Sequence, residues 1–174
     1  QVTLDGTVTV AGSNNLTLSG NITGNGSLVK TGTEVLELRG TNDYTGGTTI
    51  SAGTLIASVG SLGSGAIVNN RTLELIQSVD GTLTQSISGS GELTKSGTGT
   101  LTLTGNNTYD GGTSIIAGKV VASASNLGSG IIVNNAALEL NQTGNSILAQ
   151  DIVGSGSLTK TGVGALILAG NNSQ

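Results

Sequence analysis

The sequence predicts an all-β fold, a right-handed parallel β-helix (β-solenoid), and three observations support this prediction. A block of 65 residues recurs, because Gly24–Ile50 reads almost the same as Gly89–Ile115 and its opening returns at Gly154. Within each block apolar and polar residues alternate with a period of two, which is typical of half-buried strands. No segment combines a capping box with the apolar spacing of an amphipathic helix. Short strands in a repeat of fixed length are the pattern of a solenoid.

The 65-residue repeat divides the chain without any insertion. Residues 1–23 form a partial repeat, 24–88 and 89–153 form two full repeats, and 154–174 form another partial repeat. The spacing also holds elsewhere, since LGSGAIVNN at 62–70 returns as LGSGIIVNN at 127–135. No linker interrupts the pattern, so the sequence predicts a single domain over 1–174. Because the chain starts and stops inside a repeat, we expect it to be a segment of a longer array.

The central repeat shows the predicted strands most clearly. Thr100–Thr104 alternates threonine and leucine strictly, and the leucines are predicted to point inward. Glycine-rich and asparagine pairs bound these short runs and supply the backbone freedom that sharp corners need. The predicted strands of this repeat are Leu93–Lys95, Thr100–Thr104, Thr113–Ile115, Lys119–Ala122, Ile131–Val133, Ala137–Leu140 and Gln150–Val153.

Seven short strands in a row would also fit an antiparallel sandwich. The fixed repeat favours stacked coils instead, with three strands and about 22 residues per coil, about three coils per repeat and roughly eight coils in total. The right hand follows from the crossover rule for parallel strands. One coil alone buries too few aliphatic side chains to offset the entropy of ordering its backbone. We therefore expect each coil to fold on its neighbour as on a template.

The composition excludes several classes of function. Six Lys plus Arg against ten Asp plus Glu give a net charge of −4, and Tyr44 and Tyr109 are the only aromatic residues, so we expect no nucleic-acid partner. No apolar run approaches the length of a membrane-spanning helix, and the start of the chain lacks a signal-peptide pattern. The chain has no Cys, which excludes disulfides and thiolate chemistry. Regularly alternating apolar residues, 35% of the chain, argue against disorder.

No combination of residues predicts catalysis, a metal site or a cofactor. Without His or Cys, a hydrolytic site would need two carboxylates facing one cleft, and the acidic residues are scattered. Glu34 and Glu37 are three apart in a predicted strand and so should point to opposite faces, while Asp43 and Asp110 flank their tyrosines on opposite sides. The glycine pairs are not followed by the nonapeptide of calcium-binding β-rolls. We predict a chain that is not an enzyme.

The threonines of one predicted strand raise the question of an ice-binding face. Thr100, Thr102 and Thr104 point outward together, as in a water-ordering array. Their equivalents one repeat earlier and one repeat later are not threonine. The preference of threonine for exposed strand positions therefore explains them better.

Two other recurring residue types have a functional and a structural interpretation. Lys30, Lys95 and Lys160 recur in all three copies, either as a cationic binding row or as solvated lysines at strand ends. Tyr44 and Tyr109 recur in N-x-Y-x-G-G, where they could stack on a sugar or cover a corner of the stack. We favour the structural interpretation for both residue types.

One long motif runs through the three copies. Gly89–Gly118 carries nearly all of G-S-G-x-L-T-K-x-G-x-G-x-L-x-L-x-G-x-N-x-Y-x-G-G-T-x-I-x-x-G, Gly24–Gly53 departs from it at three positions, and Gly154–Asn172 carries its first two-thirds. This motif resembles the passenger-associated transport repeat of bacterial autotransporters. It covers about half of the chain directly and the rest by continuity of the repeat. The three departures are Asn25, Val29 and Glu34.

The resemblance implies a place and a role for the chain. Autotransporters are self-exporting outer-membrane proteins of Gram-negative bacteria, and their passengers are right-handed parallel β-helices exported with the help of a C-terminal outer-membrane β-barrel. We therefore expect a cell-surface or secreted location, with the β-barrel of the same polypeptide as partner. The repeat typically lies in the stalk, which implies a scaffold that supports secretion and folding and displays functional regions. The alternative is an adhesin, a virulence module that binds a host cell-surface protein, a glycan or another copy of itself.

Overall fold

The computed structural model describes all of residues 1–174, and its regular structure is almost entirely short strands. Two single-turn 3-10 segments, Val59–Ser61 and Ala124–Asn126, are the only helical elements, and no helix has the length and apolar character needed to cross a membrane. The first eleven strands are β1 (Val2–Leu4), β2 (Val8–Val10), β3 (Leu16–Leu18), β4 (Ile22–Gly24), β5 (Leu28–Lys30), β6 (Val35–Leu38), β7 (Thr48–Ile50), β8 (Thr54–Ala57), β9 (Ile67–Asn69), β10 (Thr72–Ile76) and β11 (Gly81–Leu83). The other eleven are β12 (Ile87–Ser88), β13 (Glu92–Ser96), β14 (Thr100–Leu103), β15 (Thr113–Ile115), β16 (Lys119–Ala122), β17 (Ile132–Asn134), β18 (Ala137–Asn141), β19 (Ser146–Leu148), β20 (Ile152–Val153), β21 (Ser157–Thr161) and β22 (Leu166–Leu168).

The chain winds into a stack with three faces, and every strand pair is parallel. Face III is one eight-stranded sheet, made of β3, β6, β8, β10, β13, β15, β17 and β20. Face I carries β1 and β4 and then β11, β14, β16, β18 and β21, and face II carries β2, β5, β7, β9 and β12 and then β19 and β22. One strand per coil on face III gives about eight stacked coils, so the predicted all-β parallel solenoid is confirmed.

Faces I and II each contain a stretch without strands that still stacks in register. On face I the Asp43 N–H donates to the Ile22 carbonyl at 3.0 Å. On face II the Thr108 N–H donates to the Ile87 carbonyl at 2.8 Å. The stack is therefore continuous through both stretches, because backbone groups that have no strand partner still find one in the preceding coil.

Each coil is shorter than predicted, and this changes the geometry of the repeat. Paired residues of neighbouring coils are 18 to 20 positions apart, as in Thr54↔Thr72 and Thr72↔Glu92, instead of about 22. Each coil crosses the three faces once, and the segments of one repeat make ten such crossings in succession. We call each crossing a face position, so the repeat winds three and one third times around the axis. Leu28 lies on face II, its equivalent Leu93 on face III, and the next equivalent, Leu158, on face I.

The predicted strands of the central repeat are all present, with ends that shift by one or two residues. Ile131–Val133 moves one position to become β17, and Gln150–Val153 shortens to β20. Strand β19 was missed, because its three residues follow a polar stretch and show little alternation. In β14 the two leucines are buried and the threonines half-buried, as predicted. The inward aliphatic residues form one continuous core cluster along the stack.

Candidate functional site

The most specific contacts of the motif lie inside the stack, where buried amides join the coils. Asn107 bridges three coils: its Oδ1 accepts the Ile87 N–H of the coil before at 2.9 Å, and its Nδ2 donates to the Asn126 carbonyl of the coil after at 2.8 Å. Its equivalent Asn42 makes the same two bonds at 2.8 and 2.7 Å. Both amides lie in the stretches that have no strands, so they satisfy backbone groups that a ladder would otherwise pair.

The two tyrosines of the motif are inside the corner. Tyr44 and Tyr109 are fully buried, and their hydroxyls lie 2.6 and 2.7 Å from those of Thr48 and Thr113. Burial raises the pKa of Tyr44, and it raises the pKa of Tyr109 to about 12, because tyrosinate would lose its hydration. The favoured prediction placed both tyrosines at a corner of the stack, and their rings lie inside it. A sugar cannot stack on these buried rings.

Two of the three recurring lysines also lie in the interior. Lys30 and Lys95 are buried, so the prediction of solvated lysines is wrong for both. The Lys95 Nζ donates to three backbone carbonyls, two in its own corner at 2.9 and 2.7 Å and that of Ala117 in the next coil at 3.0 Å. Loss of hydration lowers the pKa of both buried lysines. Lys160, in the last coil, is exposed and lies on a third face, so the three lysines form no cationic row.

The corner that holds each lysine also needs glycine. Gly53 and Gly118 have φ of +66° and +70°, where a side chain is strained. A Cβ at either position would lie 2.5 Å from a backbone oxygen, and at Gly118 it would also lie 2.8 Å from the Lys95 Nζ. The glycine is thus required both for its backbone conformation and for the close approach of the carbonyls to the ammonium group.

A second pair of buried amides closes another corner. Asn69 and Asn134 donate from Nδ2 to the carbonyls of Glu92 and Ser157 in the next coil, at 2.8 and 2.9 Å. Each Oδ1 accepts a backbone N–H of its own turn. From the sequence, these asparagines are predicted only to bound the strands at corners. Their position two residues after an inward isoleucine was the signal that they point inward.

The acidic residues lie singly or in ion pairs on the outside. Arg39 is 2.7 Å from Glu37, and Lys119 is 2.5 Å from Glu139. Hydrogen bonds from these cations lower the pKa of both carboxyl groups. Glu34 precedes β6 instead of lying within a strand, which corrects the predicted placement. No group of three or more acidic residues is arranged to hold a metal ion.

The threonines of β14 do not continue as an array along their face. Thr102 pairs with Thr82 on one side and Val121 on the other, and Glu139 follows. Their equivalents 65 positions away in the repeat lie on other faces. The conclusion is unchanged, because the true neighbours also interrupt the hydroxyl row.

A parallel β-solenoid whose recurring polar residues are turned inward is a structural repeat protein. The passenger-associated-transport-repeat family matches residues 28–57, 93–122 and 158–174, which include the three recurring lysines. These matches and the parallel β-solenoid together support an autotransporter passenger repeat domain, a family that implies a surface or secreted location. No curated protein and no solved structure matches the chain.

Proposed function

We propose that this chain is a stalk segment of an autotransporter passenger, which supports secretion and folding and displays other regions of its polypeptide at the Gram-negative cell surface. The observation that carries this proposal is the pair of amide bridges at Asn42 and Asn107, each joining three coils. The recurring polar side chains of the motif make their hydrogen bonds within the stack, where they hold the coils together. We infer that the segment is not catalytic.

The bridges couple the folding of neighbouring coils. The Ile87 N–H gains its partner only when the coil that carries Asn107 has formed, and the Asn107 amide completes its second bond only with the coil that carries Asn126. Each new coil therefore satisfies polar groups that the previous coil left open. Coil-by-coil folding outside the outer membrane would oppose backward sliding of the chain. The partner in this process is the C-terminal outer-membrane β-barrel of the same polypeptide.

The experiment compares two aspartate substitutions in neighbouring residues of β14, placed in the full-length protein. Leu101 is fully buried and Thr102 points outward. Leu101→Asp puts a charge in the aliphatic core and should stop the stack from growing. Thr102→Asp places the same charge in water and serves as the matched control. Surface exposure is measured by protease accessibility on intact cells.

We expect Leu101→Asp to lower the surface-exposed fraction at least about tenfold, with the chain retained inside the cell envelope. Thr102→Asp should reach the surface at the parent level. Normal display of the Leu101→Asp protein, together with loss of the fold in the isolated segment, would refute the link between coil formation and export.

Adhesion to a host cell-surface protein or glycan is the second candidate. It is favoured by two equivalent notches on the outer surface, where the small Ser58 and Ser123 follow the buried Ala57 and Ala122. The test is binding of the isolated segment to host cells and matrix. Saturable binding at micromolar concentration or below would support adhesion, and no binding would leave the stalk role alone.

A further inference from the structure

Asn25 is one of the positions at which the first copy departs from the motif. The equivalent positions carry serine, Ser90 and Ser155, and a glycine follows in every copy. Asparagine before glycine is the dipeptide most prone to spontaneous deamidation, because a following residue without Cβ leaves its backbone nitrogen free to reach the side-chain amide. No other asparagine of the chain precedes a glycine. The first copy therefore carries a reactive dipeptide that the other two lack.

The reaction joins the Gly26 nitrogen to the side chain of Asn25. The nitrogen loses its proton and attacks Cγ, the bond from Cγ to Nδ2 breaks, and ammonia leaves behind a cyclic imide. Water then opens the imide. Cleavage between Cγ and the Gly26 nitrogen gives aspartate, and cleavage at the original backbone carbonyl gives isoaspartate, whose main chain runs through Cβ and Cγ. Either product replaces a neutral amide with a carboxylate.

The stack blocks the first step of this reaction. The Gly26 N–H donates to the Leu4 carbonyl of the preceding coil at 2.7 Å, which holds the proton that must be lost and fixes the direction of the nitrogen. Gly26 is buried, and a Cβ on it would overlap the backbone of Gly6. The Asn25 side chain is exposed, and its Oδ1 accepts one long hydrogen bond, from the Thr45 hydroxyl at 3.5 Å. The reaction is thus limited by the backbone nitrogen and not by the side-chain amide.

The carbonyl that holds this proton belongs to β1, a strand with little to keep it in place. Strand β1 has three residues and one strand partner, β4. Val2 and Thr3 are exposed, so Leu4 is its only buried residue. A short strand with few buried apolar contacts opens more readily than the centre of the stack. When β1 separates from β4, the Gly26 N–H loses its acceptor while the later coils keep their own ladders.

We propose that Asn25–Gly26 is a deamidation site that the docking of the first coil, residues 1–23, holds inactive. Undocking frees the Gly26 nitrogen to react. Isoaspartate then makes the change permanent, because the extra carbon atom in the main chain moves Gly26 out of its fit against Leu4 and Gly6. The modified chain thus marks molecules in which the first coil has opened. This goes beyond the stalk role and does not depend on it, because it needs only one backbone hydrogen bond and the chemistry of one dipeptide.

The first test uses the parent chain at one mildly alkaline pH. Peptide mass spectrometry follows the conversion of Asn25 in native buffer and in urea, and amide hydrogen exchange gives the protection factor of the Gly26 N–H. We expect deamidation in native buffer to be at least about tenfold slower than in urea. The ratio of the two rates should equal the protection factor within about threefold, because the same opening frees the same N–H. Equal rates, or a ratio unrelated to the protection factor, would overturn the proposal.

The second test loosens the first coil without touching the dipeptide. Leu4→Ala should raise the native deamidation rate at Asn25 at least about tenfold. Leu148→Ala, an equal truncation of a buried leucine in β19, is the matched control and should change that rate less than about twofold. Asn25→Ser, the residue of the other copies, should remove the mass change, and circular dichroism checks that all three variants keep the fold.

Two results of the second test would count against the proposal. One is a Leu4→Ala chain that deamidates at the parent rate, and the other is an equal increase in Leu148→Ala. Either result would separate the reaction at Asn25 from the docking of the first coil.

Discussion

Asn107→Ala tests the idea that buried amides hold the coils together. The substitution removes the acceptor of the Ile87 N–H at 2.9 Å and the donor to the Asn126 carbonyl at 2.8 Å. A buried polar group that loses its partner costs about 1–3 kcal/mol. Ile87 is fully buried, whereas Asn126 is half-buried and water can reach part of its surface. We therefore expect the free energy of unfolding to fall by about 2–5 kcal/mol.

The control is the preceding residue. Asn106 is exposed, so Asn106→Ala should change the free energy of unfolding by less than about 0.5 kcal/mol. Urea unfolding followed by far-ultraviolet circular dichroism measures both variants. Amide hydrogen exchange gives a local measurement, because the Ile87 amide should lose protection in Asn107→Ala while the Leu73 amide, in the ladder of face III, keeps it.

Equal stability of the two alanine variants would refute this reasoning, and so would an Ile87 amide that stays protected without Asn107. The first result would mean that the bridge contributes nothing beyond the backbone ladder. The second would mean that another group satisfies the Ile87 N–H. Asn42→Ala, at the equivalent corner, should repeat the loss seen at Asn107.

Three further predictions concern a corner glycine and the buried ionisable groups. Gly118→Ala should destabilise the fold by more than about 2 kcal/mol in urea titration, because φ is +70° and the new Cβ would lie 2.5 Å from a carbonyl oxygen; Gly60→Ala, with no atom within 4 Å, should cost less than about 1 kcal/mol. Burial lowers the pKa of Lys95, so the unfolded chain binds this proton more tightly, and the free energy of unfolding should rise with pH just below the ordinary lysine pKa of 10.5. Urea titrations between about pH 8 and 10 should show a smaller rise in Lys95→Met, and an unchanged rise would contradict the assignment. The pKa of Tyr109 is raised to about 12, so above pH 10 the unfolded chain releases a proton that the folded chain keeps, and stability falls. Tyr109→Phe should reduce that fall by about 1 kcal/mol near pH 11. Tyrosinate absorbance that appears near pH 10 in the folded protein would show that the pKa of Tyr109 is not raised.

The architecture could be predicted because its signals are local. Alternation in runs such as Thr100–Leu103 fixes which residues face inward, and the repeat requires stacking. The coil length could not be read in the same way. The stretches around Tyr44 and Tyr109 contain no strand pattern, yet each occupies a face position. Counting strands therefore gave too few positions per repeat and a coil that was too long.

The inward position of the lysines could have been predicted from the alternation of their strands. Leu93 and Lys95 have the same parity in their strand, as do Leu28 and Lys30, so alternation places each lysine inward. The prediction of solvated lysines at strand ends agrees instead with the general rule that lysine is almost never buried unless it is paired. That rule fails here because the turn carbonyls of the corner solvate the ammonium group.

The bridges of the asparagines depend on information that one sequence does not contain. Asn107 meets Ile87 and Asn126 at separations of 20 and 19 residues, which follow from the coil length and not from the repeat. A prediction based on 65-residue spacing cannot produce these partners. The coil-to-coil register had to be known first.

The fractional number of turns per repeat has a mechanical consequence. Each motif position is displaced by a third of a revolution from one copy to the next, so bulky, flexible or charged positions do not accumulate along one side. An array of these repeats resists bending about equally in every direction. A rod that juts from a surface into moving fluid then has no weak plane along which it folds over.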